Sequence, residues 1–209
     1  MERINKTQGI VLGKREWGEQ DLLFFVYTEK FGKVEAVVKA AKKIKSKLNG
    51  HLPIMGLSEI LFIEGRTKMK IISAHLLNNF KLASEEDFYF FSALAEVMIK
   101  STVSGERHEQ IWKTLIWARS MISRSNNSDE KKLALNMFLI KLATISGYKI
   151  SVEKKMNLDK EIQCLIEQVQ GSEVGQIKVT AKNNGRLFSF LREYYLNILE
   201  RPLLSFDFI

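Results

Sequence analysis

Lys33-Val34-Glu35-Ala36-Val37-Val38-Lys39 decides how the first third of this chain is read. Val34, Ala36 and Val38 alternate with polar Glu35 and Lys39, which is the period of a half-buried strand. Four more short segments rich in Val, Ile and Phe lie around it, at residues 9–15, 21–28, 57–64 and 69–77. Turn signals separate them: Trp17-Gly18-Glu19, Lys30-Phe31-Gly32 and Gly65-Arg66. Five short strands in the first 80 residues fit a small closed barrel. The OB-fold is the commonest barrel of this kind that binds oligonucleotides, although an SH3-like barrel gives a similar pattern.

Directly after the third strand comes a run of cations. Lys39, Lys42, Lys43, Lys45 and Lys47 fall within nine residues, and no acidic residue occurs between Glu35 and Glu59. A loop carrying several ammonium groups suits a polyanion, above all a nucleic-acid backbone. The bland alternative is a solvated loop. Uneven charge favours the functional reading. Residues 1–80 hold 14 Lys/Arg against 8 Asp/Glu, a net of +6 out of the formal +8 of the whole chain. A basic first module joined to a near-neutral remainder suggests that one part holds an anion and the other does something else.

At 209 residues and 45% apolar content the chain can bury one sizeable core or two small ones. Its one cysteine, Cys164, forbids an intramolecular disulfide and a Cys-rich zinc site, and it suits a reducing compartment. The N-terminus has no apolar signal region, and no uncharged apolar stretch is long enough to span a membrane. These features predict a soluble cytoplasmic protein with no membrane partner.

The texture changes near Ser84, so the expected domains are a basic barrel over 1–80 and a helical domain over 81–209. Ser84-Glu85-Glu86-Asp87 fits a capping box, and Phe88, Phe91, Ala95, Met98 and Thr102 follow at helical spacing. A second helix is predicted over 106–124, with Ile111, Leu115, Ala118 and Ile122 as its stripe. Ser128 is expected to cap a third. Residues 133–145 of that helix are apolar nearly all round and should be central, with Gly147 ending it. A weakly patterned helix near 160–169 and a final one over 188–199 complete the set. Asn183-Asn184-Gly185 reads as a turn. The tail, 203–209, is too apolar to float free. Tyr148, Leu158, Ile162 and Leu165 are the expected apolar anchors of the polar stretch 148–185.

No catalytic constellation is visible. The sequence has no P-loop, no dinucleotide-binding glycine motif and no nucleophile elbow. His51, His75 and His108 are dispersed, without metal-ligand spacing. Cys164, Trp112 and Trp117 read as packed side chains. The chain is therefore expected to be a binding protein rather than an enzyme, with no cofactor.

Taken in order, Gly9-Ile10-Val11-Leu12-Gly13-Lys14-Arg15, Gly18-Glu19-Gln20-Asp21-Leu22, Tyr27-Thr28-Glu29-Lys30-Phe31-Gly32-Lys33, Ala40-Ala41-Lys42-Lys43-Ile44-Lys45-Ser46-Lys47-Leu48 and Leu52-Pro53 resemble the N-terminal domain of the RecO family of bacterial recombination mediators. Phe190-Leu191-Arg192-Glu193-Tyr194-Tyr195, and the stretch from Arg201-Pro202 to Phe208-Ile209, resemble that family's closing helix and tail. The resemblance covers residues 1–80 and the tail; over 84–147 it is one of pattern. It implies an α+β architecture, an N-terminal five-stranded OB-fold barrel followed by an α-helical domain. It also implies binding of single- and double-stranded DNA, strand annealing, and action on DNA coated with single-strand-binding protein. Its implied partners are RecR, the acidic tail of single-strand-binding protein and, indirectly, RecA. Many family members carry a four-cysteine zinc motif after the position of Gly147-Tyr148. Here residues 148–170 contain only Cys164, so no metal is expected.

The expected mechanism makes and breaks no bonds. Cations neutralise phosphates, repulsion between strands falls, and bases pair. The candidate DNA-binding residues are Arg15, Lys39, Lys42, Lys43, Lys45, Lys47 and Arg66. Phe24, Phe25, Tyr27 and Phe62 are candidate stacking platforms, although about half of the residues in alternating strands must face the core. The rival readings are a protein-binding adaptor and an RNA-binding OB-fold protein.

Overall fold

The structure is a computed structural model that describes residues 4–43, 47–65, 67–80, 84–148, 150, 160–172 and 184–209. Five strands form a closed barrel: β1 (Asn5–Trp17), β2 (Asp21–Thr28), β3 (Gly32–Val38), β4 (Leu57–Ile63) and β5 (Met69–Asn78). They lie in the order β1-β2-β3-β5-β4, with β4 closing onto β1. A short helix, α1 (Lys47–Gly50), stands between β3 and β4. This is the OB-fold expected from the sequence.

Alternation explains the interior. Val34, Ala36 and Val38 of β3 face inward with Phe24 and Val26 of β2 and Ile60 and Phe62 of β4. The long strand β1 pairs along one edge with β2 and along the other with β4, and a register shift between Val11 and Gly13 bends it. Parallel pairing of β3 with β5, Ala36 with Met69 and Val37 with Lys70, closes the cylinder.

The chain divides into two compact units, residues 1–82 with 95–112, and residues 83–94 with 113–209. The expected boundary near residue 80 did not anticipate that 95–112 groups with the barrel. α2 (Glu85–Ser101) contributes its C-terminal part to the first unit. There the outer face of β1–β3 is covered. Lys33 Nζ donates to the carbonyl of Ile99 at 2.6 Å and to that of Thr102. Gly105 N–H donates to Lys33 O at 2.9 Å. Leu23, Tyr27 and Val37, which point outward from the barrel, are also buried, Tyr27 beside the His108 backbone.

In the second unit the capping box forms as read. Asp87 N–H donates to Ser84 Oγ and Ser84 N–H to Asp87 Oδ2, both at 3.2 Å. The helices are α3 (Glu109–Arg124), α4 (Ser128–Ile145), α5 (Lys160–Gly171) and α6 (Asn184–Leu199), with a closing 3-10 turn at Leu204–Phe208. The α3 stripe Ile111, Leu115, Ala118 and Ile122 is buried, and α4 is the most buried helix. Gly147 ends α4: its N–H reaches Thr144 O and Tyr148 N–H reaches Ala143 O, a Schellman pair. The tail is held by Leu203 and Phe206, which are buried, and by Phe208 stacked on Tyr89 at 5.3 Å.

Several local expectations are corrected. Asn127, not Ser128, caps α4, accepting from Glu130 N–H at 2.8 Å. The turn signal at Asn184-Gly185 is the first turn of α6. Phe88, Tyr148 and Cys164 are exposed, whereas Ile162 and Leu165 are buried as expected. Trp112 is buried, but Trp117 is only partly so. Leu158 lies outside the described residues.

Gly32 joins β3 to the 102–112 segment. Its φ is 63°, and a Cβ there would meet the carbonyl of Glu106. Gly32→Ala is expected to cost more than the roughly 1–3 kcal/mol of left-handed strain alone. Gly18→Ala, also left-handed but with nothing within 4 Å of its Cβ, should cost only the strain. Urea unfolding midpoints of the two variants give the comparison.

Candidate nucleic-acid interface

The lysine segment is pinned at both ends by apolar side chains. Ala41 is buried against the barrel core on one side; Leu48 of α1 and Leu52 pack against the same core on the other. Of the cations between them, Lys42 and Lys43 are exposed. The segment is also tied to the β1–β2 turn, since Lys42 N–H donates to Gln20 O at 3.1 Å and Ala40 N–H to Asp21 Oδ1 at 2.8 Å.

The structure places the predicted residues as follows. Arg15 is exposed near the end of β1, and Lys39, Lys42 and Lys43 are exposed just beyond β3. These four share one end of the barrel. Lys45 and Arg66 lie outside the described residues. Lys47 lies in α1, and its side chain is not described.

Their electrostatic states differ. Lys39 Nζ sits 2.6 Å from Asp21 Oδ2, whose carboxylate is largely sheltered. The Lys39 hydrogen bond and the Ala40 N–H hold the Asp21 carboxyl below its usual range. Lys39 therefore anchors the segment. Lys42 Nζ lies 3.0 Å from Glu16, but that carboxylate is 81% exposed. An exposed pair contributes roughly 0–1 kcal/mol, so a phosphate can replace Glu16 at little cost. Among the described residues neither Lys43 nor Arg15 has a carboxylate partner.

Two residues at this end escaped the sequence reading. Lys14 Nζ lies 6.0 Å from the centroid of the Phe24 ring. Trp17 was read only as a turn signal. It is partly exposed, and the Arg15 guanidinium lies 5.9 Å from its ring and 5.7 Å from that of Phe25. The signal was available in Lys14-Arg15-Glu16-Trp17, which places two cations and an indole at one strand end. The stacking candidates are largely corrected: Phe24, Tyr27 and Phe62 are buried, and only Phe25 is partly exposed.

The other end of β3 offers less to a polyanion. A cleft of about 450 Å³ there is lined by residues that include Lys33, Glu35, Lys68 and Gly105. Lys68 pairs with Glu35, and Lys33 is committed to the carbonyls at the end of α2. Burial lowers the Lys33 pKa, with the Glu35 charge opposing the shift. His51 and His75, distant in sequence, have ring centroids 6.0 Å apart. Among the described residues no group of three or more His, Cys, Asp or Glu is placed to hold a metal ion. No helix among them is long and apolar enough to cross a membrane.

Residues 1–80 match the family model described as Recombination protein O N terminal. The barrel is thus similar to the N-terminal domain of RecO. The likeness to RecO extends beyond the barrel. A protein of Dehalococcoides mccartyi (strain CBDB1) called DNA repair protein RecO is 25% identical over 182 residues, 85% of this chain and 70% of that protein. The same name is carried by a Clostridium novyi (strain NT) protein, 26% identical over 72% of this chain and 59% of its own length. It is also carried by an Alkaliphilus metalliredigens (strain QYMF) protein, 28% identical over 69% of this chain and 58% of its own length. The chain thus spans less than two thirds of the last two relatives. The RecO resemblance seen in the sequence is borne out, and the basic segment lies inside the matched barrel.

The Asp21 anchor has a definite pH dependence. A carboxyl with a depressed folded-state pKa adds stability above its unfolded pKa and loses it as pH falls through the folded value. The anchor should therefore be intact at neutral pH and be lost only below about pH 4. NMR titration of the Asp21 carboxyl should give a midpoint below 3.8, moving upward in Lys39→Gln.

Proposed function

We propose that this chain is a DNA-repair protein of the recombination-mediator type, a binding protein rather than an enzyme. In this reading it binds single- and double-stranded DNA at the cationic end of its barrel and anneals complementary strands. With RecR it helps to load RecA onto DNA coated with single-strand-binding protein, whose acidic tail docks on the helical unit. One observation carries the reading. The barrel resembles the RecO N-terminal domain, and its β3–α1 segment carries exposed Lys42 and Lys43 at the same end of the barrel as Arg15.

The chemistry is electrostatic. Five described cations (Lys14, Arg15, Lys39, Lys42 and Lys43) face three nearby carboxylates (Glu16, Glu19 and Asp21), and Lys45 and Lys47 follow in sequence. Each phosphate neutralised releases condensed counterions, which drives binding at low salt. Two strands whose charges are partly neutralised repel each other less, so annealing is faster. Contacts to phosphates carry no base information, as an annealing factor requires.

The test is binding of fluorescent oligonucleotides across a salt series, together with annealing of complementary strands with and without single-strand-binding protein. Lys43→Gln should flatten the single-strand log–log salt slope by about 0.7. Changing Lys42, Lys43, Lys45 and Lys47 together to Gln should flatten it by up to roughly 3 and slow annealing without unfolding the protein. Glu16→Gln should act in the opposite direction, freeing Lys42 and tightening low-salt binding by up to about fivefold, the ceiling of an exposed ion pair. An unchanged slope in the quadruple variant would move the contact surface elsewhere, and preferential binding of RNA would favour a different OB-fold role.

A further inference from the structure

We infer that Trp17 is a stacking platform for an unpaired base, and that it makes this end of the barrel prefer single strands over duplex. The inference rests on the DNA-binding reading and adds a residue and a selectivity to it. Trp17 closes β1 and pairs in register with Asp21 across the β1–β2 turn. That turn is bonded to the lysine segment through Gln20 O and Asp21, and Glu16, the residue before Trp17, holds Lys42. The indole thus stands at the end of the barrel that carries Lys39, Lys42 and Lys43. The turn beside it is open, since no atom lies within 4 Å of a Cβ placed on Gly18.

Most other aromatics of the barrel are placed differently. Phe24, Tyr27 and Phe62 are buried. Phe31 lies at the opposite end, beside the β2–β3 turn, and Phe25, partly exposed like Trp17, sits mid-strand on β2 with the Arg15 guanidinium 5.7 Å from its centroid. The same guanidinium lies 5.9 Å from the Trp17 ring, holding a planar cation against a planar indole. An aromatic ring beside cations is the combination that binds single strands without reading sequence, because every base has a π-face. In a duplex the base faces are already stacked on one another, so only the phosphate contacts remain available. The ring thus separates the two ligands while the lysines treat them alike.

The experiment compares Trp17→Ala, Trp17→Phe and Arg15→Gln on an oligo-dT strand and on a duplex of the same length, using the full chain. Trp17→Ala should weaken single-strand binding about 5- to 150-fold, the range for losing one base–aromatic stack. Duplex binding should change less than about twofold, and the salt slope should not move because no cation is lost. Trp17→Phe should restore most of the affinity. Arg15→Gln should instead flatten the slope on both ligands. In a Trp117→Phe background, tryptophan fluorescence should be quenched by oligo-dT, and the quenching should be largely lost when Trp17→Phe is added, since Trp112 is buried. Unfolding midpoints identify a misfolded variant, in which case the Trp17→Phe quenching result decides. Unchanged single-strand affinity in folded Trp17→Ala, or quenching retained in Trp17→Phe, would overturn the inference while leaving the DNA-binding reading in place. Failure of the wild type to bind either nucleic acid would sink both.

Discussion

The barrel depends on one strand pairing along both edges at once. β1 does so at Gly9, which stands opposite Thr28 on β2 and Ser58 on β4. A side chain there would point into the barrel, with its Cβ only 2.7 Å from Val26 Cγ1 and 3.2 Å from Ile60 Cδ1. The absence of a side chain lets the two edges approach, and the register shift after Val11 bends the strand to follow. Everything at the cationic end inherits its position from this closure. β1 runs on to Trp17, the turn returns at Asp21, and Asp21 fixes Ala40 and Lys39. A barrel that failed to close would present the same lysines with no common geometry.

Within that geometry the lysines are not equivalent, and the carboxylates decide their roles. Asp21 is sheltered, accepts a backbone N–H as well as the ammonium, and is held ionised by both. Glu16 is open to water and holds Lys42 by a contact that solvent screens. One pair thus builds the loop and the other is exchangeable. Among the described lysines of the run, Lys39 is the anchor, and Lys42 and Lys43 are exposed beyond it.

Local periodicity made most of the fold legible. The alternation in β3 and the stripe on α3 each bury a single face, and a single face is what a residue pattern can express. The misses occur where distant chain covers a second face. Tyr27 points away from the barrel interior yet is buried, beside the His108 backbone of the 95–112 segment, and no pattern within β2 could reveal that. The pairing of Lys39 with Asp21 and the approach of His51 to His75 join residues 18 and 24 positions apart, which spacing does not encode. Trp17 was masked by its own context. Beside Gly18 it reads as punctuation, and only the placed Arg15 guanidinium shows it as a surface. The shift of the α4 cap from Ser128 to Asn127 is of another kind, because either residue can cap and the backbone chooses between neighbours.

The helical unit solves a different problem. α4 is apolar nearly all round, so hydrophobic contact alone would allow it to slide or rotate against its neighbours. Buried polar groups remove that freedom. Asn136 Nδ2 donates to Asn184 O at 3.1 Å, Asn184 Nδ2 to Asp129 O at 2.9 Å, and the Tyr195 hydroxyl to Leu139 O at 2.8 Å. Each bond is made at only one axial position, whereas an apolar contact is made about equally well a turn away. At the other end of the helix pair, burial alone would lower the Lys131 pKa, but Asp87 and Glu86 outweigh it and raise it. Lys131 lies 2.7 Å from Asp87, which also closes the α2 capping box. Leaving any of these groups unpaired inside the unit would cost roughly 1–3 kcal/mol for a neutral donor and more for a charge. The polar contacts thus contribute little net stability when made and a large penalty when broken, and that asymmetry is what fixes the register of α4 against α2 and α6.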